Sequence, residues 1–136
     1  MPEYKRTTKT YLPSDHSWMR TNKGWDTLKT ITLDIALFTA GTHFPNGFIP
    51  AGITLGPVTA DTDVYGPYSD AAGDGRTVMA GFLFNAEPVT AGATTGLIIA
   101  SLLTEGDIVE GRLPTGHGLN ANGKTDVGAR FTYTAA

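Results

Sequence analysis

Cysteine is absent from this 136-residue chain. Its absence excludes disulfide frameworks, thiolate nucleophiles and cysteine-ligated zinc or iron–sulfur sites, so stability has to come from packing or from assembly. Charge is sparse: Asp, Glu, Lys and Arg make up 17% of residues, against about 25% in an ordinary globular domain. Long solvent-exposed helices, which need a charged face, are disfavoured. Long apolar runs are missing too. No purely apolar stretch exceeds the four residues of Leu97 to Ala100, far below the roughly 20 that cross a bilayer as a helix. Met1-Pro2-Glu3-Tyr4-Lys5-Arg6 lacks the apolar stretch of a secretory signal. The expectation is a soluble protein, used without export and with no membrane partner. A net charge of −3 and a pI near 5.5 argue against a dedicated nucleic-acid binder, whose basic patch normally dominates the balance.

What the chain has instead is glycine (17), proline (8) and threonine (21). Branched Cβ atoms suit a pleated strand better than a helix interior, and Gly and Pro punctuate turns. The composition reads as one all-β domain, a small β-clip or barrel-like body of many short strands with at most one short helix near the C-terminus. Charge divides it unevenly: residues 1–30 carry +3 and residues 31–136 carry −6. Up to about Lys29 no hydrophobic period is sustained. The span 1–29 therefore reads as an extended arm, and 30–136 as the β-rich domain. The segment Lys5-Arg6-Thr7-Thr8-Lys9-Thr10-Tyr11-Leu12 is β-prone but too polar to fold alone, and can add as a strand to a sheet edge on another chain. A frayed terminus is the plain alternative. Trp18 and Trp25 argue against pure disorder, because such rings bury most of their area, and their expected role is to pin the arm to its own body.

From Lys29 apolar and polar residues alternate strictly, with Ile31, Leu33, Ile35 and Leu37 on one face, which predicts a half-buried strand. Pro50-Ala51-Gly52 reads as a tight turn, Ile53 to Thr59 as a strand, and Asp61-Thr62-Asp63 as the next turn. Val64 and Tyr65 form a short strand, followed by a Gly- and Asp-rich loop from Tyr68 to Gly75. Val78 to Phe84 is a nearly continuous apolar strand, buried on both faces or enclosed in a barrel. Gly81 in its middle marks a bulge or a close backbone approach. Further strands fall at Gly96–Leu103, Ile108–Leu113 and Arg130–Thr134, with a helical turn over Leu119–Asp126. The total is about seven short strands.

Catalytic templates do not fit. None of Ser14, Ser17, Ser69 and Ser101 sits in a Gly-x-Ser-x-Gly elbow. His16, His43 and His117 lack the spacing of a metal pair and read as loop or surface imidazoles. Asp61-Thr62-Asp63-Val64-Tyr65-Gly66 begins like a calcium loop but has Tyr65 and Ala72 where ligands are needed. Asp70 and Asp74 read as acceptors for local backbone amides in turns. Gly73, Gly75, Gly116 and Gly118 are followed by no Gly-Lys-Ser/Thr. Neither an enzyme nor a cofactor or metal site is expected.

The central stretch resembles a known family. Phe48-Ile49-Pro50-Ala51-Gly52-Ile53-Thr54-Leu55-Gly56-Pro57-Val58-Thr59, then Tyr65-x-Pro67-Tyr68, then Asp74-Gly75-Arg76-Thr77-Val78-Met79-Ala80-Gly81-Phe82-Leu83, is similar in order and spacing to the lambda-type head decoration proteins of tailed phages. Pro50, Gly52, Gly56, Pro67, Tyr68, Gly75 and Gly81 carry the likeness. Leu113 to Gly128 has no clear counterpart in the shorter members, and Ser14 to Arg20 resembles only a subset. The resemblance implies a homotrimer on the outer capsid surface at three-fold and quasi-three-fold positions, bound to the major capsid protein and stabilising the expanded head. It also implies that the N-terminal segment reaches the shell, which makes Lys5, Arg6, Thr7, Thr8, Lys9, Thr10, Tyr11 and Leu12 the candidate capsid-binding residues. Two other readings stay open: a glycan-binding β module on the virion, using Trp18, Trp25 and tyrosines, and a β-rich tail or connector subunit.

Overall fold

The structure of the chain, a computed structural model, describes residues 16–44, 47–90, 92–114 and 116–135, with the side chains of Ala40 and Thr62 left aside. The alternation from Lys29 builds β1 (Lys29–Asp34), whose Ile31 and Leu33 point into the core. The strand stops three residues short of the expected Leu37. The Asp34 carboxylate accepts the Ala36 amide at 3.0 Å and caps a 3-10 turn over Ile35–Leu37, because a short acidic side chain offers the backbone a local alternative to the sheet. A single helical turn, α1 (Ala40–His43), follows.

Five strands close a barrel in the cyclic order β1, β4 (Asp61–Pro67), β3 (Thr54–Val58), β5 (Gly81–Leu83) and β7 (Leu97–Leu103). Only the β1–β4 seam is parallel; β7 returns antiparallel to β1 through six paired residues and shuts the ring. The ring is closed by long seams at β1–β7 and β3–β4 and by two-residue seams at β1–β4, β3–β5 and β5–β7. Two small pairs lie outside it: β2 (Phe48–Ile49) with β6 (Glu87–Pro88), and a parallel pair of β8 (Gly106–Val109) with β9 (Phe131–Thr134). The chain is mostly β, 35% strand against 17% helical, which makes it the all-β domain expected from composition. Among the described residues α2 (Ala121–Val127) is the only helix longer than one turn. It is capped by Asn120, whose side-chain oxygen accepts the Gly123 amide at 2.9 Å.

Two cores share the body. The barrel interior holds Ile31, Leu33, Ile53, Leu55, Tyr65 and Leu102, among others. A second core gathers Trp18, Tyr68, Met79, Phe82, Ile108 and Phe131 beneath α2 and the β8–β9 pair. Strand β5 belongs to both: Leu83 faces the barrel and Phe82 faces the second core, each fully buried. Burying two such side chains contributes about 1.5–3 kcal/mol apiece. That double burial explains the apolar run around Gly81.

Several local expectations change. The run from Val78 to Phe84 is not one strand: only Gly81–Leu83 pairs, Val78 is 54% exposed, and the Met79 amide turns away to donate to Asp126 at 3.0 Å. Asp61-Thr62-Asp63 opens β4 rather than making a turn. The hairpin turns at Thr59-Ala60, and Asp61 pairs with Val58 at a register irregularity while its carboxylate holds the Asp63 amide at 3.1 Å. Among the described residues nine strands replace about seven, β2 and β6 being only two residues each. The arm boundary at Lys29 also moves. Residues from His16 onward are already docked, with Met19 bridged to Ile108 and the Arg20 amide donating to the Asp107 carbonyl at 2.9 Å.

Gly52 and Gly81 are among the glycines that the geometry requires. Gly52 has φ +100°, and a Cβ there would lie 2.8 Å from Pro114 Cδ and 3.2 Å from the Trp18 ring, so the Pro50-Ala51-Gly52 turn sits directly on the indole. At Gly81 a Cβ would overlap the Leu103 carbonyl oxygen of the neighbouring strand, the close backbone approach that its position in an apolar run predicts. Gly81→Ala should therefore cost about 1–3 kcal/mol, the usual range for overpacking a filled core. Chemical denaturation of the variant measures this, and wild-type stability would show that the β5–β7 wall can part.

Candidate functional site

The N-terminal segment enters the body through aromatic rings. Trp18 is 1% exposed and packs against Phe82 with ring centres 5.6 Å apart. Its indole N–H has no partner, so it anchors by shape and apolar area rather than by a hydrogen bond. Trp25 is half-covered: it meets His16 and Phe84 edge-on at 5.4 Å each, and its N–H points to the Met19 sulfur at 3.2 Å. His16 stacks on Phe84 at 4.6 Å, with its Nε2 2.8 Å from the Phe84 carbonyl oxygen. The expected pinning role thus falls on both tryptophans, and Trp18 is closed to a sugar face. Lys5, Arg6, Thr7, Thr8, Lys9, Thr10, Tyr11 and Leu12 lie outside the described residues.

A second feature sits on the outer face of the barrel. Leu97 and Ile99, two residues apart on β7, are 69% and 74% exposed, the most open large apolar side chains among the described residues. In register they lie beside Asp34 and Thr32 of β1, and Thr32 in turn pairs with Val64 of β4. The band Ile99–Thr32–Val64 carries no charge across three strands. Contiguous exposed apolar surface of this kind marks contact with another molecule more often than a lone exposed Leu does. Sequence reading missed it, because Leu97-Ile98-Ile99-Ala100 has no period and a continuous apolar run reads as buried throughout.

The third feature is a clip between α2 and the loop that follows β4. The Tyr68 hydroxyl is 2.6 Å from Asp70 Oδ1 and 2.9 Å from Asn120 Oδ1. One proton cannot serve both, and the shorter, charge-assisted contact takes it. Burial first, then the hydrogen bond to Asp70, pushes the Tyr68 hydroxyl up to about 12. Asp70 does not hold local amides as expected; its other oxygen accepts the side-chain amides of Asn120 at 2.7 Å and Asn122 at 3.3 Å, because the helix brings them over the loop. Asp74 keeps the expected local role only in part, accepting the Arg76 amide at 3.4 Å while both its oxygens lie 3.0 Å from Arg76 Nε. Pro67 and Tyr68 lead into this loop, Gly75 lies within it, and Gly56 faces Gly66 across the β3–β4 pair. The likeness-bearing residues are thus scattered through the barrel wall, the turn on Trp18 and this loop; they form no single surface.

No family model, curated protein or solved structure matches this chain.

Two carboxylates tie this geometry to acid stability. The Tyr68 hydroxyl holds Asp70 below the ordinary carboxylate range, and the Thr132 and Thr21 hydroxyls do the same for Asp107 across β8 and β9. A carboxyl that ionises more readily when folded stabilises the fold above its unfolded pKa, and that stabilisation is lost as pH falls through the lowered folded value. Thermal unfolding should therefore move to lower temperature as pH drops below the ordinary carboxylate range. Asp70→Asn and Asp107→Asn should each flatten that slope in calorimetry. A slope unchanged in both variants would remove these carboxylates as its cause.

Proposed function

We propose that this chain is a head decoration protein of a tailed phage, binding as a trimer to the outer capsid surface and cementing the expanded shell. The observation that carries the reading is the ordered series of motifs from Phe48 to Leu83, similar to the lambda-type decoration family across barrel wall, turn and loop. Two features of the body support it. Fifteen residues precede His16, and the chain behind them is fastened by Trp18 and the His16–Trp25–Phe84 cluster, so a pull on the leading segment is taken up by the second core. The uncharged band from Ile99 through Thr32 to Val64, with exposed Leu97 beside it, offers area for contact between copies.

The physics of cementing suits such a layout. Ordering a leading segment costs about 1–2 kcal/mol per residue, so one arm alone binds weakly unless main-chain pairing offsets the cost. Three arms on one ring change that: once the first is bound, the others act at effective concentrations on the order of millimolar, and avidity rises roughly 10²-fold or more. A heterologous interface that closes after three copies also places each arm over an equivalent patch of shell.

Deleting residues 1–13 should leave a folded trimer that no longer binds expanded capsids in a co-sedimentation assay; full occupancy without those residues would refute the arm. Within it, Tyr11→Asp should weaken attachment more than Lys5→Ala, and the reverse order would mean that charge carries the contact. For the copy–copy contact, Ile99→Lys should give a monomer near 14.4 kDa by light scattering without loss of thermal stability, since the side chain is already in solvent. A trimer that survives this change has its seam elsewhere.

A further inference from the structure

A crevice of about 380 Å³ opens between α1 and the loop that follows β4, at the foot of the barrel strand β4. Leu37, Pro67 and Ala72 give it apolar walls, and His43, Ser69 and Arg76 bring polar groups to it. Each of the three is held in place by its neighbours and, among the described residues, keeps a donor unspent. Arg76 is oriented by Asp74 on Nε and by the Pro67 carbonyl, which accepts from Nη1 at 3.0 Å, while Nη2 has no hydrogen bond. His43 accepts the Thr39 amide on Nδ1 at 2.8 Å, so the neutral ring carries its proton on Nε2, which has no partner. Burial, and then the charge of Arg76, hold His43 below its ordinary value and keep that ring neutral. The Ser69 hydroxyl oxygen accepts the Ala71 amide at 3.3 Å and donates to nothing. Three donor-bearing side chains thus line one cavity, with no acceptor among the described residues for their free donors.

The charge balance selects the ligand. Asp74 already offsets Arg76 and His43 is neutral, so a dianion such as phosphate would bring two charges against no net countercharge. A single carboxylate needs only the free donors, and the walls of Leu37, Pro67 and Ala72 suit a short apolar stem behind it. We propose that this crevice is a subsite for one carboxylate carried on a short aliphatic stem, the chemistry shared by a glutamate side chain on a docked polypeptide and by a free short-chain acid. It would operate whether or not copies assemble. Pre-oriented donors keep the ordering cost low, but a partly open site with a half-neutralised guanidinium limits affinity to a dissociation constant on the order of 1 mM.

The test is an NMR titration of the full ¹⁵N-labelled chain with N-acetyl-glutamate N′-methylamide, its glutamine counterpart and butyrate. The glutamate probe should shift the Ser69 and Ala72 amides and the Arg76 Nε–H resonance saturably, and the glutamine probe should respond about 10-fold more weakly or not at all. Ala72→Leu, which fills the cavity without removing a hydrogen bond, should abolish the response while leaving the rest of the spectrum in place. Ser69→Ala, which removes one donor only, should weaken it. Butyrate binding as tightly as the glutamate probe assigns the subsite to a free acid, and weaker butyrate binding assigns it to a polypeptide side chain. No saturation with either acid, equal response to glutamate and glutamine probes, or a response that persists in Ala72→Leu overturns the proposal.

Discussion

Strand β5 is the wall on which the rest of the molecule depends. Three residues long, it sends Leu83 into the barrel and Phe82 into the second core, and it lies so close to β7 that Gly81 can carry no side chain. A strand buried on both faces is apolar throughout and tolerates no slip, since a shift by one residue would exchange the two cores. The second core is organised against the outer face of β5: Trp18 packs on Phe82, Phe131 meets Phe82 edge-on at 5.1 Å, and the Pro50-Ala51-Gly52 turn closes over Trp18. The N-terminal segment, the β8–β9 pair and α2 thus share one support.

That support separates what is rigid from what is offered to other molecules. β7 pairs with β1 along Leu97–Leu102 and with β5 only at Leu102 and Leu103, and its outward Leu97 and Ile99 present their side chains to solvent. The chain ahead of His16 is the complementary case. By sequence it is polar, β-prone and rich in threonine, and the described chain that follows it begins where the rings of His16, Trp25 and Phe84 interlock.

The loop from Tyr68 to Ala80 joins the two kinds of surface. One side of it is clipped to α2 through Tyr68, Asp70, Asn120 and the Met79–Asp126 contact. Its other side, with Arg76 turned inward by Asp74, forms the crevice with His43. The same hydrogen bonds that fix the loop leave the donors of that crevice uncommitted, so the binding feature is a by-product of how the loop is held. A carboxylate seated there would complete the loop's hydrogen bonding without moving it.

Much of this was legible in the residues alone. Scarce charge with abundant Thr, Gly and Pro determined an all-β body; alternation from Lys29 determined β1; and the apolar run around Gly81 holds a short strand, Gly81–Leu83, buried on both faces. These are local properties, set by side-chain period and by which residues tolerate a turn. What the tertiary structure alone decided is relational. Leu97 and Ile99 are as apolar as their neighbours Ile98 and Ala100, and only closure of the barrel tells outward from inward. His43, Ser69 and Arg76 are separated along the chain by 26 and 7 positions and match no motif; they meet because β4 carries its loop back over α1. Composition constrains what each segment can become, but which free donors and which apolar faces come together depends on long-range register, and no local pattern encodes that.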